Sequence, residues 1–379
     1  MHYYDRFRNG KVRWYDWVAG FWLIVTTWVF GQLAFTAPFI PMLAELDPES
    51  SAELDVLMAN LGAMIDPIMV GFGTLLMIVG WIVAAIAYGV HYLGNRGKAS
   101  QVTGFIGAVA LFIGGALYMV GMDEFSEANN LIMSVIGLSP IAYMLLLLTF
   151  PAALVGLYLA WKIIHKLPLT ALHTAAKRFR WGRVIQSFLI MWIVLGGFSL
   201  IVSLFGYETP RFVFDASRFL PFAIVSLLLL PVQSATEEIV VRGYMNKGLI
   251  HWFGNKWVAF ILTSGLFMSL HLANPEAMAG AQAGNLPLVM SGYFFFGFAA
   301  CLMVLIDDGL ESAIGVHAGN NTFAAIFINY ENSALPTPSV WQVSNDPTSS
   351  AVSTIVVLLI VLGILYATRP GKTETSTVG

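Results

Sequence analysis

Two adjacent glutamates and an arginine interrupt a long apolar run near the middle of the chain. Residues 227–242 read LLLLPVQSATEEIVVR and include Glu237, Glu238 and Arg242. Ionisable residues at membrane depth are costly and are usually kept for function. Glu238 and Arg242 are four positions apart, so they share a helix face and can neutralise each other. Glu237 points about 100° away from Glu238, which leaves it available as a general base. A structural ion pair with a spare glutamate is the alternative interpretation.

Two further polar motifs follow in otherwise apolar segments. His271 lies in GLFMSLHLANP, one helical turn after Phe267. His317 and Asn321 lie in GVHAGNNTF, and their spacing of four residues places both on one helix face. Taken alone, each motif also suits hydrogen bonds that only hold neighbouring helices together. Their positions relative to Glu237 distinguish a common site from separate helix contacts.

The spacing of the three motifs predicts that they meet at one depth. Glu237 and His271 are 271 − 237 = 34 residues apart, and the turn-forming pair Gly254-Asn255 lies at the midpoint. Two helical arms of about 25 Å would return both side chains to the same layer. His317 follows a turn at Gly309 by eight residues, which suits a third contribution to that layer.

The hairpin leads to one further expectation, and the glycines of the third motif lead to another. Residues 243–256 should extend beyond the membrane as an amphipathic tip, with Lys247 and Lys256 in water. Gly315 and Gly319 flank the histidine of the third motif, and small residues at this spacing let helices approach closely.

A carboxylate, two imidazoles and an amide in one apolar pocket suit the activation of water. Glu237 can take a proton from water, while His271 holds that water or supplies the proton to the leaving group. His317 and Asn321 can donate hydrogen bonds to a developing oxyanion. Alternatively, Glu237, His271 and His317 could ligate zinc with an open fourth position. The chain contains no HExxH and no GxSxG motif, and the lone Cys301 excludes a disulfide framework.

Composition indicates the elements that must position these residues. The chain is 58% hydrophobic and only 11% charged, whereas a soluble domain carries roughly 25% charged residues. We therefore predict an all-α, polytopic membrane helix bundle of about ten transmembrane helices. The candidate spans are 17–43, 67–93, 102–121, 139–163, 185–205, 219–241, 257–273, 287–306, 310–329 and 351–368.

Charge in the loops predicts the orientation. Basic residues recur on every second loop, with the richest cluster at 162–183, so both termini are expected to be cytoplasmic. The acidic turn at Asp307 and Asp308 departs from this pattern. We interpret the basic loop as a determinant of topology rather than a nucleic-acid site, and we expect a multi-pass protein of the plasma (inner) membrane whose first span is not cleaved.

The intramembrane polar clusters divide the chain into three parts. We predict an accessory N-terminal transmembrane bundle at 1–160, where interior charges are few. The catalytic membrane core is predicted at 161–330, because it contains every polar motif. Residues 331–379 are predicted to form a loop, a C-terminal transmembrane helix and a polar tail.

The three motifs together resemble a known family. Their patterns are EExxxR at 237–242, FxxxH at 267–271 and HxxxN at 317–321. This ordered set is similar to that of the CPBP intramembrane endopeptidases, which include the type II CAAX prenyl proteases and the Abi-type bacteriocin-immunity proteins. The resemblance covers roughly residues 160–330. It implies a helical membrane core with a conical cavity, in which a glutamate-activated water cleaves a peptide bond.

The resemblance also implies a role for each motif residue. By this comparison Glu237 is the base, His271 its partner, His317 and Asn321 the oxyanion stabilisers, and Glu238 with Arg242 the supporting pair, next to Phe267. We favour a metal-free site, with zinc as the alternative. The expected substrate is a membrane-associated peptide or lipoprotein segment, prenylated or otherwise lipidated, held at the lipid bilayer.

Two other functions fit the same residues. Buried Glu, His and Asn side chains also suit the proton relay of a proton-coupled transporter, although the sequence has no evident internal repeat of the kind found in many transporters. A catalytically inactive immunity or scaffold protein that keeps the fold is the third interpretation.

Overall fold

The described chain forms two compact units. The computed structural model describes residues 2–59 except 9 and 11, short helical pieces between 71 and 83, and residues 126–369 except 273, 331, 332 and 345. The larger unit contains residues 1–36 and 143–379, and the smaller contains 37–142. These limits differ from the boundary at 160, because the first span joins the larger unit. The predicted division into accessory, catalytic and C-terminal parts stays a prediction.

Helices dominate the described part of the chain. They are, in chain order, α1 (Trp14–Thr36), α2 (Phe39–Leu46), α3 (Pro48–Ala59), α4 (Ser126–Leu138), α5 (Pro140–Leu159), α6 (Thr170–His173), α7 (Trp181–Leu204), α8 (Ala216–Glu238), α9 (Asn246–Phe253), α10 (Lys256–Ser269), α11 (Pro275–Gln282), α12 (Leu286–Asp307), α13 (Glu311–Ile326) and α14 (Pro347–Ala367). The smaller unit contains α2, α3 and α4, and Asp47 caps α3 by accepting a hydrogen bond from the Ser50 backbone.

The prediction of an all-α polytopic membrane protein is confirmed. Six helical stretches within the described residues are long and apolar enough to cross a membrane: Trp14–Leu46, Pro140–Ile164, Trp181–Leu204, Ala216–Phe253, Leu286–Asp307 and Ser349–Ala367. The predicted spans 67–93 and 102–121 lie mostly outside the described residues. Helices α10 and α13, with 14 and 16 residues, are shorter than a full span. The count of ten and the cytoplasmic termini stay predictions.

The hairpin between the first two motifs is built as the sequence indicates. Helix α8 continues through a π-helical segment, Ile239–Met245, into α9. Gly254 ends α9 with φ of 65°, a left-handed conformation that glycine adopts without strain. Asn255 then caps α10, since its side chain accepts a hydrogen bond from the Trp257 backbone. The predicted turn at this position is confirmed.

Lys247 occupies a different environment from the predicted one. It is fully buried rather than in water, with its Nζ 3.0 Å from the centre of the Tyr3 ring and 5.5 Å from that of Tyr4. The chain's first residues fold over α9 and supply this aromatic cover, which the spacing of charges within the hairpin could not reveal. Lys256 is exposed, as predicted.

Helices α7 and α13 pack with almost no space between their backbones. A Cβ at Gly315 would overlap Ser187 Oγ and the carbonyl oxygen of Val184, and one at Gly319 would crowd the Phe188 carbonyl. The close approach predicted for these two glycines is confirmed. It fixes the helix that carries the third motif against its neighbour.

Ion pairs explain why an acidic turn follows α12. Arg180 bonds both carboxylate oxygens of Glu311, with its Nη2 2.8 Å from Oε2 and its Nε 3.0 Å from Oε1. Arg183 pairs with Asp307 at 2.9 Å. Two arginines of the basic loop and of the start of α7 thus neutralise acids at this turn. Asp308 accepts a hydrogen bond from the Tyr3 backbone.

A small sheet, not predicted from the sequence, joins three connections of the larger unit. Its strands are β1 (Arg211–Phe212), β2 (Ile328–Tyr330) and β3 (Trp341–Val343), in the order β1-β3-β2. The pairing of β1 with β3 is antiparallel, and that of β2 with β3 is parallel. The sheet ties the ends of α7 and α13 to the start of α14.

We expect Gly315→Ala to lower the free energy of unfolding in mixed micelles by about 1–3 kcal/mol, because the added methyl group has no room. The matched control is Gly197→Ala on α7, where a Cβ would meet nothing within 4 Å. A tolerated Gly315→Ala, equal in stability to the control, would contradict the close packing.

Candidate active site

One buried carboxylate oxygen joins the first and third motifs. Oε1 of Glu238 lies 3.0 Å from Nη1 of Arg242 and 2.7 Å from Nδ1 of His317. Glu238 and Arg242 are fully buried, and His317 is almost so. A carboxylate in an ion pair only accepts hydrogen bonds, so Nδ1 of His317 carries the hydrogen. Glu238 therefore orients this ring and leaves Nε2 available to a substrate or a water molecule.

The second motif completes this ionic cluster through its phenylalanine. The guanidinium carbon of Arg242 lies 4.5 Å from the centre of the Phe267 ring, a cation–π arrangement. The ring of Phe296 packs 5.0 Å from that of His317. Apolar rings thus enclose the cluster, and such surroundings strengthen the interactions between its charges.

Glu237 has a more open environment than its neighbour. Its side chain is 22% exposed, and Oε2 lies 3.7 Å from Nε2 of His317. Its Oε1 accepts a hydrogen bond from Gln233, one helical turn earlier. Gln233 in turn accepts a bond of 3.0 Å from Nδ2 of Asn321. The amide of Gln233 therefore links the candidate base to the candidate oxyanion donor.

His271 is held just beyond the end of α10. Its Nδ1 lies 2.7 Å from the carbonyl oxygen of Phe267, which can only accept, so Nδ1 carries the hydrogen. The lone pair of a neutral His271 is then on Nε2. The ring stacks on Tyr293, with centres 4.5 Å apart and planes 28° apart.

The structure brings all the predicted site residues into one neighbourhood, with one difference in pairing. No hydrogen bond joins Glu237 to His271 within the described residues, and the imidazole within ion-pair distance of Glu237 is that of His317. The predicted partnership of Glu237 with His271 therefore depends on an intervening molecule such as water. The catalytic roles themselves stay predictions.

A cavity of about 190 Å³ lies beside this cluster. Its lining comes from the segments between α10 and α14 and includes Phe267, His271, Glu276, Tyr293, Phe296, His317, Asn320, Asn321 and Tyr330. It combines aromatic walls with a few polar groups, the composition usual for ligand pockets. We call it the main cavity.

Sequence reasoning missed several residues of the site. Gln233 was detectable as a polar residue four positions before Glu237 in an apolar run. Tyr293 and Glu276 were not, since their roles depend on contacts between distant segments. Glu276 accepts hydrogen bonds from the Tyr330 hydroxyl and, at 3.0 Å, from the Ala334 backbone.

The geometry bears on whether Glu237, His271 and His317 could hold zinc. Across the described part of the chain no group of three or more His, Cys, Asp or Glu side chains is arranged to bind a metal ion. Nδ1 of each histidine bonds a protein oxygen, and this leaves Nε2 of each ring available, which is also the usual arrangement of zinc-binding histidines. Zinc at Glu237, His271 and His317 therefore stays the alternative to a metal-free site.

Comparisons with known proteins agree with the motifs. The sequence model of a family described as type II CAAX prenyl endopeptidase Rce1-like matches residues 217–323, which include all three motifs. The uncharacterized protein YyaK of Bacillus subtilis (strain 168) is 30% identical over 217 residues, or 56% of this chain and 70% of YyaK. No solved structure matches the chain.

The chain belongs to the Rce1-like family of type II CAAX prenyl endopeptidases. The resemblance to the CPBP intramembrane endopeptidases is thereby confirmed. The protein is a multi-pass integral membrane protein of a protease family.

Removing the charge of Glu238 should destabilise the fold strongly. We expect Glu238→Gln to lower the free energy of unfolding by about 3–5 kcal/mol, because it leaves Arg242 buried without a counter-charge. Asp5→Asn is the matched control, since the pair of Asp5 with Arg8 is exposed and such pairs contribute about 1 kcal/mol at most. The double variant Glu238→Gln/Arg242→Gln should lose less than the sum of its single changes. An equal loss of unfolding free energy for Glu238→Gln and Asp5→Asn would contradict a stabilising buried pair of Glu238 with Arg242.

Proposed function

We propose that the protein is an intramembrane endopeptidase in which Glu237 activates a water molecule. One observation supports this most: Oε1 of the buried Glu238 is bonded by Arg242 and His317, whereas Glu237 is partly exposed and lies 3.7 Å from His317, a residue that lines the main cavity. Two adjacent glutamates in different environments can have different roles, here a structural role for Glu238 and a chemical role for Glu237. Membership of a protease family makes peptide hydrolysis the reaction to expect.

The first step is attack by water on the peptide carbonyl. Glu237 accepts one proton as the water oxygen forms its bond to the carbonyl carbon. Nε2 of neutral His271 is an acceptor, so this ring can hold the second hydrogen of the same water and orient its lone pair. The negative charge moves to the carbonyl oxygen of the tetrahedral intermediate.

Two side chains are suited to stabilise that oxyanion. Nδ2 of Asn321 is a donor that bonds Gln233 at 3.0 Å, and the substrate oxygen can replace this partner. Nε2 of His317 can donate only when the ring carries a second proton. The positively charged ring would then have the carboxylate of Glu238 at Nδ1 and that of Glu237 near Nε2. Collapse of the intermediate breaks the carbon–nitrogen bond, and the proton held by Glu237 passes to the leaving amine.

The substrate that fits this setting is a membrane-associated peptide. The cluster lies among apolar helices that can cross a bilayer, so a soluble protein would need to insert a segment to reach it. A lipidated or prenylated anchor would hold a peptide at the membrane and raise its effective concentration there. We therefore propose a peptide or lipoprotein segment as the substrate.

Glu237→Gln should abolish cleavage without unfolding the protein. The amide cannot accept the water proton, so we expect the rate to fall at least about 100-fold. Purified protein in liposomes with a membrane-anchored peptide gives the rate, and Glu49→Gln at an exposed position is the control. Wild-type cleavage by Glu237→Gln would contradict the proposal. Proton or solute uptake that depends on Glu237, with no cleavage, would favour the transporter interpretation.

We also expect cleavage to be independent of zinc. Incubation of the purified protein with EDTA or 1,10-phenanthroline should leave the rate unchanged, because a Glu–His site supplies the base without a metal. Elemental analysis of the same sample measures bound metal directly. One zinc ion per chain, with activity lost on its removal and regained on its return, would overturn the metal-free mechanism.

A further inference from the structure

A second cavity adjoins the main cavity. It has a volume of about 170 Å³ and shares Asn320, Ser350 and Thr354 with the main cavity. Asn320 immediately precedes the candidate oxyanion donor, and its Nδ2 lies 3.1 Å from Oδ1 of Asn321. The second cavity, which we call the side cavity, therefore begins one residue away from the proposed reaction centre.

Apolar and uncharged polar side chains line the side cavity, and a single ionisable side chain lies among them. Helices α7 and α14 supply the apolar part of the lining, with Met191, Leu195, Phe198, Val202 and Val357, and they also contribute Ser199, Ser350, Ser353 and Thr354. Glu208, in the loop between α7 and β1, provides the carboxylate. A cavity with one carboxylate among uncharged groups favours ligands that carry a positive charge.

The surroundings of Glu208 favour a cation. Burial raises the pKa of this carboxyl group, and the carboxylate of Asp346 raises it further. No lysine or arginine among the described residues forms an ion pair with Glu208. An ammonium or guanidinium group beside Glu208 would supply the counter-charge that this part of the chain does not provide.

We propose that the side cavity binds the part of the substrate next to the scissile bond, and that Glu208 recognises a lysine or arginine side chain there. The proposal rests on the proposed endopeptidase function. The apolar walls suit the methylene stem of such a residue, while its charged head reaches Glu208. The shared amide and hydroxyl groups of Asn320, Ser350 and Thr354 can meet the polar backbone of a peptide passing between the cavities.

A lipid acyl chain is a less suitable occupant. It would fill the apolar part of the side cavity but would offer nothing to Glu208. Instead, it would remove the water that solvates this carboxylate, which is unfavourable without a compensating charge. A peptide with a basic residue can contact the apolar lining through its methylene groups and pair with Glu208 through its charge.

The test uses full-length protein in liposomes and membrane-anchored peptides. Lysine is scanned through the four positions on each side of the bond, against norleucine at the same position. At one position we expect lysine to lower KM about tenfold with kcat unchanged, the size of one charge-assisted hydrogen bond. Glu208→Gln should remove this preference, so that lysine and norleucine peptides have the same KM. Glu208→Lys should favour glutamate instead, and the exposed Glu45→Gln should behave as wild type.

Binding measured without cleavage separates this proposal from the proposed function. On the Glu237→Gln background, the lysine peptide should bind about tenfold more tightly than the norleucine peptide, and only when Glu208 is present. Such binding without any cleavage by wild type would leave the side cavity assigned and reject the endopeptidase. Equal binding and equal cleavage of all lysine and norleucine peptides would overturn the proposal. A photo-crosslinker at Leu195 that captures only lipid, never peptide, would also overturn it.

Discussion

The structure depends on a single buried carboxylate that is shared between two helices. Oε1 of Glu238 accepts hydrogen bonds from Arg242, in the segment that continues α8, and from His317 on α13. Phe267 on α10 covers the guanidinium group. One cluster thus joins all three motifs. Because each charge in it is buried, loss of one partner leaves another charge without compensation, and the cost is large.

The bonds of Glu238 in this cluster leave Glu237 as the glutamate that is available for chemistry. Glu238 bonds Arg242 and fixes the tautomer of His317, whereas the carboxylate of the adjacent Glu237 is partly exposed. Gln233 holds one oxygen of Glu237 and also bonds Asn321, which couples the position of the base to that of the oxyanion donor. The chemistry proposed for the site follows from this difference between two neighbouring residues of the same type.

Sequence spacing predicted the features that are local or repeated along a helix. It identified the three motifs, the turn at Gly254 and the close packing at Gly315, because helical periodicity and glycine conformation are properties of short segments. It could not predict the sheet, the aromatic cover over Lys247 or the bond between Glu238 and His317. These depend on contacts between residues far apart in the chain, and spacing alone does not reveal which side chain faces which.

In the proposed mechanism Glu237 activates water and no side chain attacks the peptide. Single-turnover cleavage of a membrane-anchored peptide in ¹⁸O-labelled water, followed by mass spectrometry, tests this most directly. Direct attack by water predicts one ¹⁸O atom in the new carboxyl group and no transfer of the acyl part to added hydroxylamine. A covalent peptidyl-protein, or a product trapped as a hydroxamate, would contradict it.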